Sequence, residues 1–74
     1  MEEKIKQIMS AALEVNIAEI NNETNSDSID SWDSLHHMNL VVALEEEFSV
    51  EFEEEEIIEL MSFKSIQEKL KSLI

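Results

Sequence analysis

The stretch Asp33-Ser34-Leu35-His36-His37-Met38-Asn39-Leu40-Val41-Val42-Ala43-Leu44-Glu45-Glu46-Glu47-Phe48 decides the fold. Asp33 or Ser34 suits a helix N-cap, and an acid there meets the positive end of the helix dipole. From that start, apolar residues recur at helical spacing as far as Phe48. At about 100° per residue, Leu40, Val41, Leu44 and Phe48 share one side, a core stripe. Leu35, Met38 and Val42 form a second stripe roughly 120° away, flanked by Asn39, Glu45 and Glu46. The remaining arc holds His36, Ala43 and Glu47 and is expected to face solvent. The second stripe has two readings: packing against another helix, or a docking strip with an acidic rim that begins beside Ser34. Glu45, Glu46 and Glu47 lie where the helix dipole disfavours negative charge, which leans towards docking.

Working outward, Ile5, Ile8, Met9, Ala12 and Leu13 predict an amphipathic helix over 3–15. Residues 16–33 break that period. Asn21, Asn22, Thr24, Asn25, Ser26, Asp27 and Ser28 bind their own backbone and favour turns, giving a long loop. Beyond Phe48, residues 49–52 read as a connector. Glu53 to Leu60 reads as a short helix with acids in its first turn. Residues 61–63 read as a break, with Ser62 or Ser65 as a cap. A last helix over 64–73 turns Ile66, Leu70 and Leu73 inward. The predicted fold is all-α: a four-helix bundle in one domain over 1–74, with three longer helices, one short one, and the long loop between helices 1 and 2.

The charge balance is lopsided. Eighteen acidic residues face five lysines and no arginine, a formal net charge of −13. Such a polyanion repels the phosphate backbone of nucleic acids and anionic membrane surfaces. The lysines are Lys4, Lys6, Lys64, Lys69 and Lys71, so residues 7–63 carry none while holding 15 of the 18 acids. A one-signed surface of this kind attracts a basic partner, although solubility alone also accounts for it. Hydrophobic residues still make up 43%, as a folded core requires. The N-terminus has no basic start followed by an apolar run, so no signal peptide is expected. No stretch approaches a membrane span, so a cytoplasmic location and a monomer are the expectation.

Composition also removes several chemistries. The chain has no cysteine, hence no disulfide, thiolate metal site or thiol nucleophile, and no glycine for a phosphate-cradling loop. Ser34 with His37 three residues on does not make a hydrolase, because the nucleophile elbow needs glycines. His36 and His37 are adjacent and point to different sides of a helix, which excludes a shared metal; the i, i+4 spacing of a zinc pair is absent. His37 falls on the core side and reads as a hydrogen-bonded structural histidine. The Asn/Asp-rich loop lacks the glycine and spaced acids of a calcium loop. The Glu53–Glu56 run reads as a solvated helix start or a loose divalent-cation site. Trp32, the single tryptophan, reads as a buried anchor whose N–H needs a partner, or else as a partner contact.

Asp33-Ser34-Leu35, followed by an apolar helix ending in Ala43-Leu44-Glu45-Glu46-Glu47-Phe48, closely resembles the acyl carrier protein family. The resemblance extends over nearly the whole chain, element by element. It implies that the chain is no enzyme. It also implies that Ser34, flanked by Asp33 and Leu35, is the attachment point for 4′-phosphopantetheine. A separate phosphopantetheinyl transferase would use coenzyme A and magnesium, with the Ser34 hydroxyl attacking the β-phosphate. The arm would end in a thiol that carries an acyl or aminoacyl group as a thioester. Partner enzymes that load and transfer this group would dock through basic patches. The docking side chains implied are Leu35, Met38, Val42, Glu45 and Glu46 on the second helix and Glu54 on the short acidic one. Fatty-acid members of the family usually carry glycine and a small residue where this chain has Ser31 and Trp32. They also carry acids at the positions of His36 and Asn39. The Trp-Asp-Ser-Leu form is similar to dedicated carriers of specialised pathways, such as polysaccharide modification or secondary metabolism. The other reading of the same features is an unmodified acidic helical adaptor that binds a basic protein.

Overall fold

The computed structural model describes residues 2–74. Its helices are α1 (Glu2–Leu13), α2 (Ser34–Phe48), α3 (Glu54–Glu59) and α4 (Phe63–Leu73). This is the all-α bundle of three longer helices and one short one that the sequence predicts. α1 packs chiefly along α2 and, less extensively, on α4. Ile5, Met9 and Leu13, one turn apart, meet Leu40, Val41 and Leu44 of α2 and Phe63, Ile66 and Leu70 of α4 in a single core.

α1 stops at Leu13, two residues earlier than expected, because Glu14 turns into the left-handed region at φ 57°. Val15 N–H then donates back to the Ser10 carbonyl, and the Ser10 hydroxyl donates to the Val15 carbonyl at 2.6 Å. α2 ends the same way at Ser49 (φ 54°), whose N–H donates to the Glu45 carbonyl. A chain without glycine places ordinary side chains at these two stops, against their steric preference.

The long loop is more structured than its composition suggests. Asn16 caps a short 3-10 turn over Ile17–Glu19. Thr24 is buried; its hydroxyl accepts from Asn21 N–H and donates to the Glu19 carbonyl. Ser26 N–H donates to the Met61 carbonyl and Phe63 N–H to the Thr24 carbonyl, pinning the loop to the α3–α4 junction. Ile20, Ile29 and Trp32 insert into the core, and the Ser31 hydroxyl donates to the Leu13 carbonyl at the end of α1. Both ends of the loop are therefore anchored before α2 begins.

Phe63 belongs to the expected break by sequence, yet it opens α4 and is fully buried. Ser62 and Ser65 cap that helix together: each side-chain oxygen accepts from the other residue's backbone N–H.

Candidate functional site

Ser34 is the first residue of α2 and is exposed. Asp33 precedes it as N-cap, its carboxylate accepting from His36 N–H at 2.9 Å. The helix start thus presents a hydroxyl beside backbone N–H groups and the positive end of the dipole, an environment that favours a phosphate ester.

The second stripe of α2 does not pack on another helix. Leu35 is 70% exposed, Met38 47% and Val42 48%, so three large apolar side chains stand in solvent on the face that starts beside Ser34. Among the flanking acids, Glu46 and Glu54 are exposed. Glu45 is not simply a rim charge: its carboxylate accepts from Phe52 N–H at 2.8 Å and holds the connector between α2 and α3. Sequence reasoning missed Ile58, which is 69% exposed on α3. In a six-residue helix the hydrophobic period is too short to separate inward Ile57 from outward Ile58.

Of the arc expected to face solvent, Glu47 is exposed but His36 is only partly so. His36 Nδ1 lies 2.8 Å from Asp33 Oδ1, and Nε2 lies 2.8 Å from Glu14 Oε2, so both ring nitrogens face carboxylates. Hydrogen bonding to Asp33 first, and to Glu14 second, raises the His36 pKa above its ordinary 6.5. The Asp33 pKa is lowered, chiefly by the His36 backbone N–H and then by its ring. Glu14 lies 22 positions before His36, so no local pattern announces the contact.

His37 is the structural histidine the sequence predicts. Trp32 Nε1–H donates to His37 Nδ1 at 2.9 Å, with both side chains buried. Since Nδ1 accepts, the ring proton sits on Nε2, which donates to the Ile57 carbonyl at 2.8 Å. One buried relay therefore joins the residue two before Ser34 to α3. Glu56 adds a second tie for α3, 2.9 Å from Lys69 Nζ on α4. The same carboxylate accepts from Glu53 N–H, and these two contacts, in that reverse order of weight, lower its pKa. The Glu53–Glu56 run is thus a capped helix start, and no group of side chains suited to a metal ion occurs among the described residues.

Residues 3–69 match the family model described as "Phosphopantetheine attachment site". That span takes in α2, α3, most of α4 and the capped turn at Ser34. An exposed serine at a helix N-terminus fits a covalently tethered phosphopantetheine without requiring a pocket. When bound, that group supplies the thiol this cysteine-free chain lacks. The family's domains carry it for other enzymes and do no catalysis themselves. On a match covering this much of its length, the chain belongs to the phosphopantetheine-attachment family of carrier domains.

Proposed function

We propose that this chain is an acyl carrier protein that holds an acyl or aminoacyl group as a thioester on 4′-phosphopantetheine attached to Ser34. The observation that carries this reading is the exposed Ser34 hydroxyl at the first position of α2, behind the Asp33 cap and inside the family match. In the loading reaction the Ser34 oxygen would bond to the β-phosphorus of coenzyme A. The hydroxyl proton leaves, and the bond to adenosine 3′,5′-bisphosphate breaks. Asp33 shapes the turn, and Leu35 begins the strip on which the transferase sits.

The same strip, Leu35, Met38 and Val42, serves the loading and acyl-transfer enzymes, with Glu46 and Glu54 as exposed acids. Glu45 contributes charge while holding the α2–α3 connector. Ile58 extends the apolar part. Steering by charge suits a carrier that has to leave each enzyme quickly. Trp32 and His36, standing where general fatty-acid carriers have a small residue and an acid, support service in a dedicated pathway. A monomeric carrier domain acting in the cytoplasm completes the reading.

The test is intact mass. The apo-protein is incubated with coenzyme A, magnesium and a broad-specificity phosphopantetheinyl transferase. A gain of one phosphopantetheine, lost in Ser34→Ala, is expected. No gain with a transferase active on another carrier would refute the proposal and leave the unmodified adaptor.

A further inference from the structure

We infer that His36 is a positioning residue for the modification of Ser34: its ring bridges the cap residue Asp33 to Glu14 and so locks the serine-bearing turn to the end of α1. The inference rests on the reading of Ser34 as the modified residue.

The geometry is that of a charged clamp. The Asp33 carboxylate already caps α2 by accepting from His36 N–H, and the His36 ring binds the same oxygen at 2.8 Å. On its other side the ring meets Glu14 at 2.8 Å. A neutral imidazole has one N–H and can donate to only one carboxylate; the imidazolium donates to both. The two-sided contact therefore selects the protonated form, in line with the raised pKa of His36. The charged groups that face the ring are Asp33 from the loop and Glu14 from the end of α1. Lys4, Glu46 and Glu47 line the groove that continues from Glu14 between α1 and α2. His37, next along α2, has its ring turned into the core towards Trp32.

Ser34 stands between Asp33 and His36, two of the three residues of the clamp. Glu14 is itself held in a left-handed turn, so the far anchor belongs to the packed end of α1. The clamp thus gives the turn a second fixed point besides the Ser31 bond to Leu13. It also sets a positive charge amid a strongly negative surface, beside the serine that a phosphate-bearing substrate has to approach.

The sign of the pH dependence follows. The clamp is complete while His36 is protonated, hence below the ordinary histidine pKa of 6.5. It is lost as pH rises through the raised value, above 6.5. Arginine offers a planar, permanently charged fork that reaches two carboxylates at any pH of interest. Glutamine carries no charge.

The experiment measures transferase loading by intact mass from pH 6 to 9 for the wild type, His36→Arg and His36→Gln. Dividing each rate by that of the arginine variant at the same pH removes the transferase's own pH dependence. The wild-type ratio should fall about three-fold from pH 6 to 9, the scale set by an exposed ion pair, while glutamine stays low throughout. In parallel, imidazole nitrogen NMR follows the His36 titration in the wild type and in Glu14→Gln. The wild-type midpoint should lie above 6.5, and Glu14→Gln should lower it. A flat wild-type ratio, glutamine equal to the wild type at every pH, or a midpoint unmoved by Glu14→Gln would overturn the clamp. In each of these cases the wild type still loads at Ser34. Failure of every variant to load with an active transferase would instead remove the Ser34 reading, and this inference with it.

Discussion

Replacing Trp32 by phenylalanine tests the buried relay that joins the Ser34 turn to α3. Trp32 and His37 are 7% and 6% exposed, and the indole N–H donates to Nδ1 at 2.9 Å. Their rings also stack at 6.0 Å between centroids. Phenylalanine keeps an aromatic body but leaves Nδ1 buried with nothing to accept from, which costs about 1–3 kcal/mol. In a domain of this length, about 1 kcal/mol moves Tm by about 6 °C, so a fall of about 12 °C is expected at mid-range. His37→Leu is worse in kind, because it strands both the Trp32 N–H and the Ile57 carbonyl. The double variant strands only the carbonyl. It spares two stranded groups, so it should be more stable than the sum of the single losses by about 2–3 kcal/mol. Urea unfolding followed by far-UV circular dichroism measures all four proteins without relying on tryptophan fluorescence. Amide exchange should also accelerate in Glu54–Glu59 for both His37 variants, since the Ile57 tether is gone. Losses that add to within about 0.4 kcal/mol would show that the two side chains do not act as a pair, and would refute the relay.

Three further outcomes are expected. Glu46→Lys with Glu54→Lys should slow transferase loading about ten-fold at low salt and much less at high salt; equal rates at low salt would take the docking face elsewhere. Added sodium chloride should raise Tm in a thermal scan, because a surface with 15 acids and no lysine across residues 7–63 repels itself. Ser49→Gly should stabilise the chain by about 0.5–1 kcal/mol in urea titrations, since glycine relieves the left-handed stop of α2 at φ 54°.

Much of the architecture is legible in local pattern. Ile5, Met9 and Leu13 lie one turn apart, and their helix follows from that spacing alone. Asp33 and Ser62 announce the starts of α2 and α4 because capping is a property of a few adjacent residues. The strip of Leu35, Met38 and Val42 follows from the same wheel that predicts the core, but the wheel leaves open whether it packs on another helix, and only the fold shows it exposed. What escaped was pairing across distance. His36 lies on an arc read as solvated, and only the fold brings Glu14 to it. Glu45 looks like its neighbours Glu46 and Glu47, yet the turn after α2 returns Phe52 N–H to it alone. The Trp32–His37 bond was half legible: a buried indole N–H and a core-side imidazole each demand a partner, and they stand five residues apart. The early stop of α1 had no such signal: Glu14 takes the left-handed position although Asn16, a residue type that tolerates it better, stands two residues on.

The fold also sorts a charge that composition reports only as a total. Glu14 and Asp33 face His36, Glu56 meets Lys69, Glu47 meets Lys4 at 3.7 Å, and Glu45 holds a backbone N–H. These carboxylates serve the chain's own structure. Glu46 and Glu54 stand exposed on the two helices that also leave Leu35, Met38, Val42 and Ile58 in solvent. Exposed ion pairs add little to stability, so a surface built this way has little to gain from acids beyond those it uses internally. On the proposed carrier reading, the remaining negative charge acts at long range, raising the encounter rate with a basic partner, while a strip of three or four side chains limits how long the encounter lasts. Fast arrival and fast release are what a tethered cargo passed among several enzymes requires. The same division explains why His36 matters at one end of the strip. It draws Asp33 and Glu14 into an internal clamp, so the charge beside Ser34 is set by the protonation of one ring rather than by the acidic surface at large.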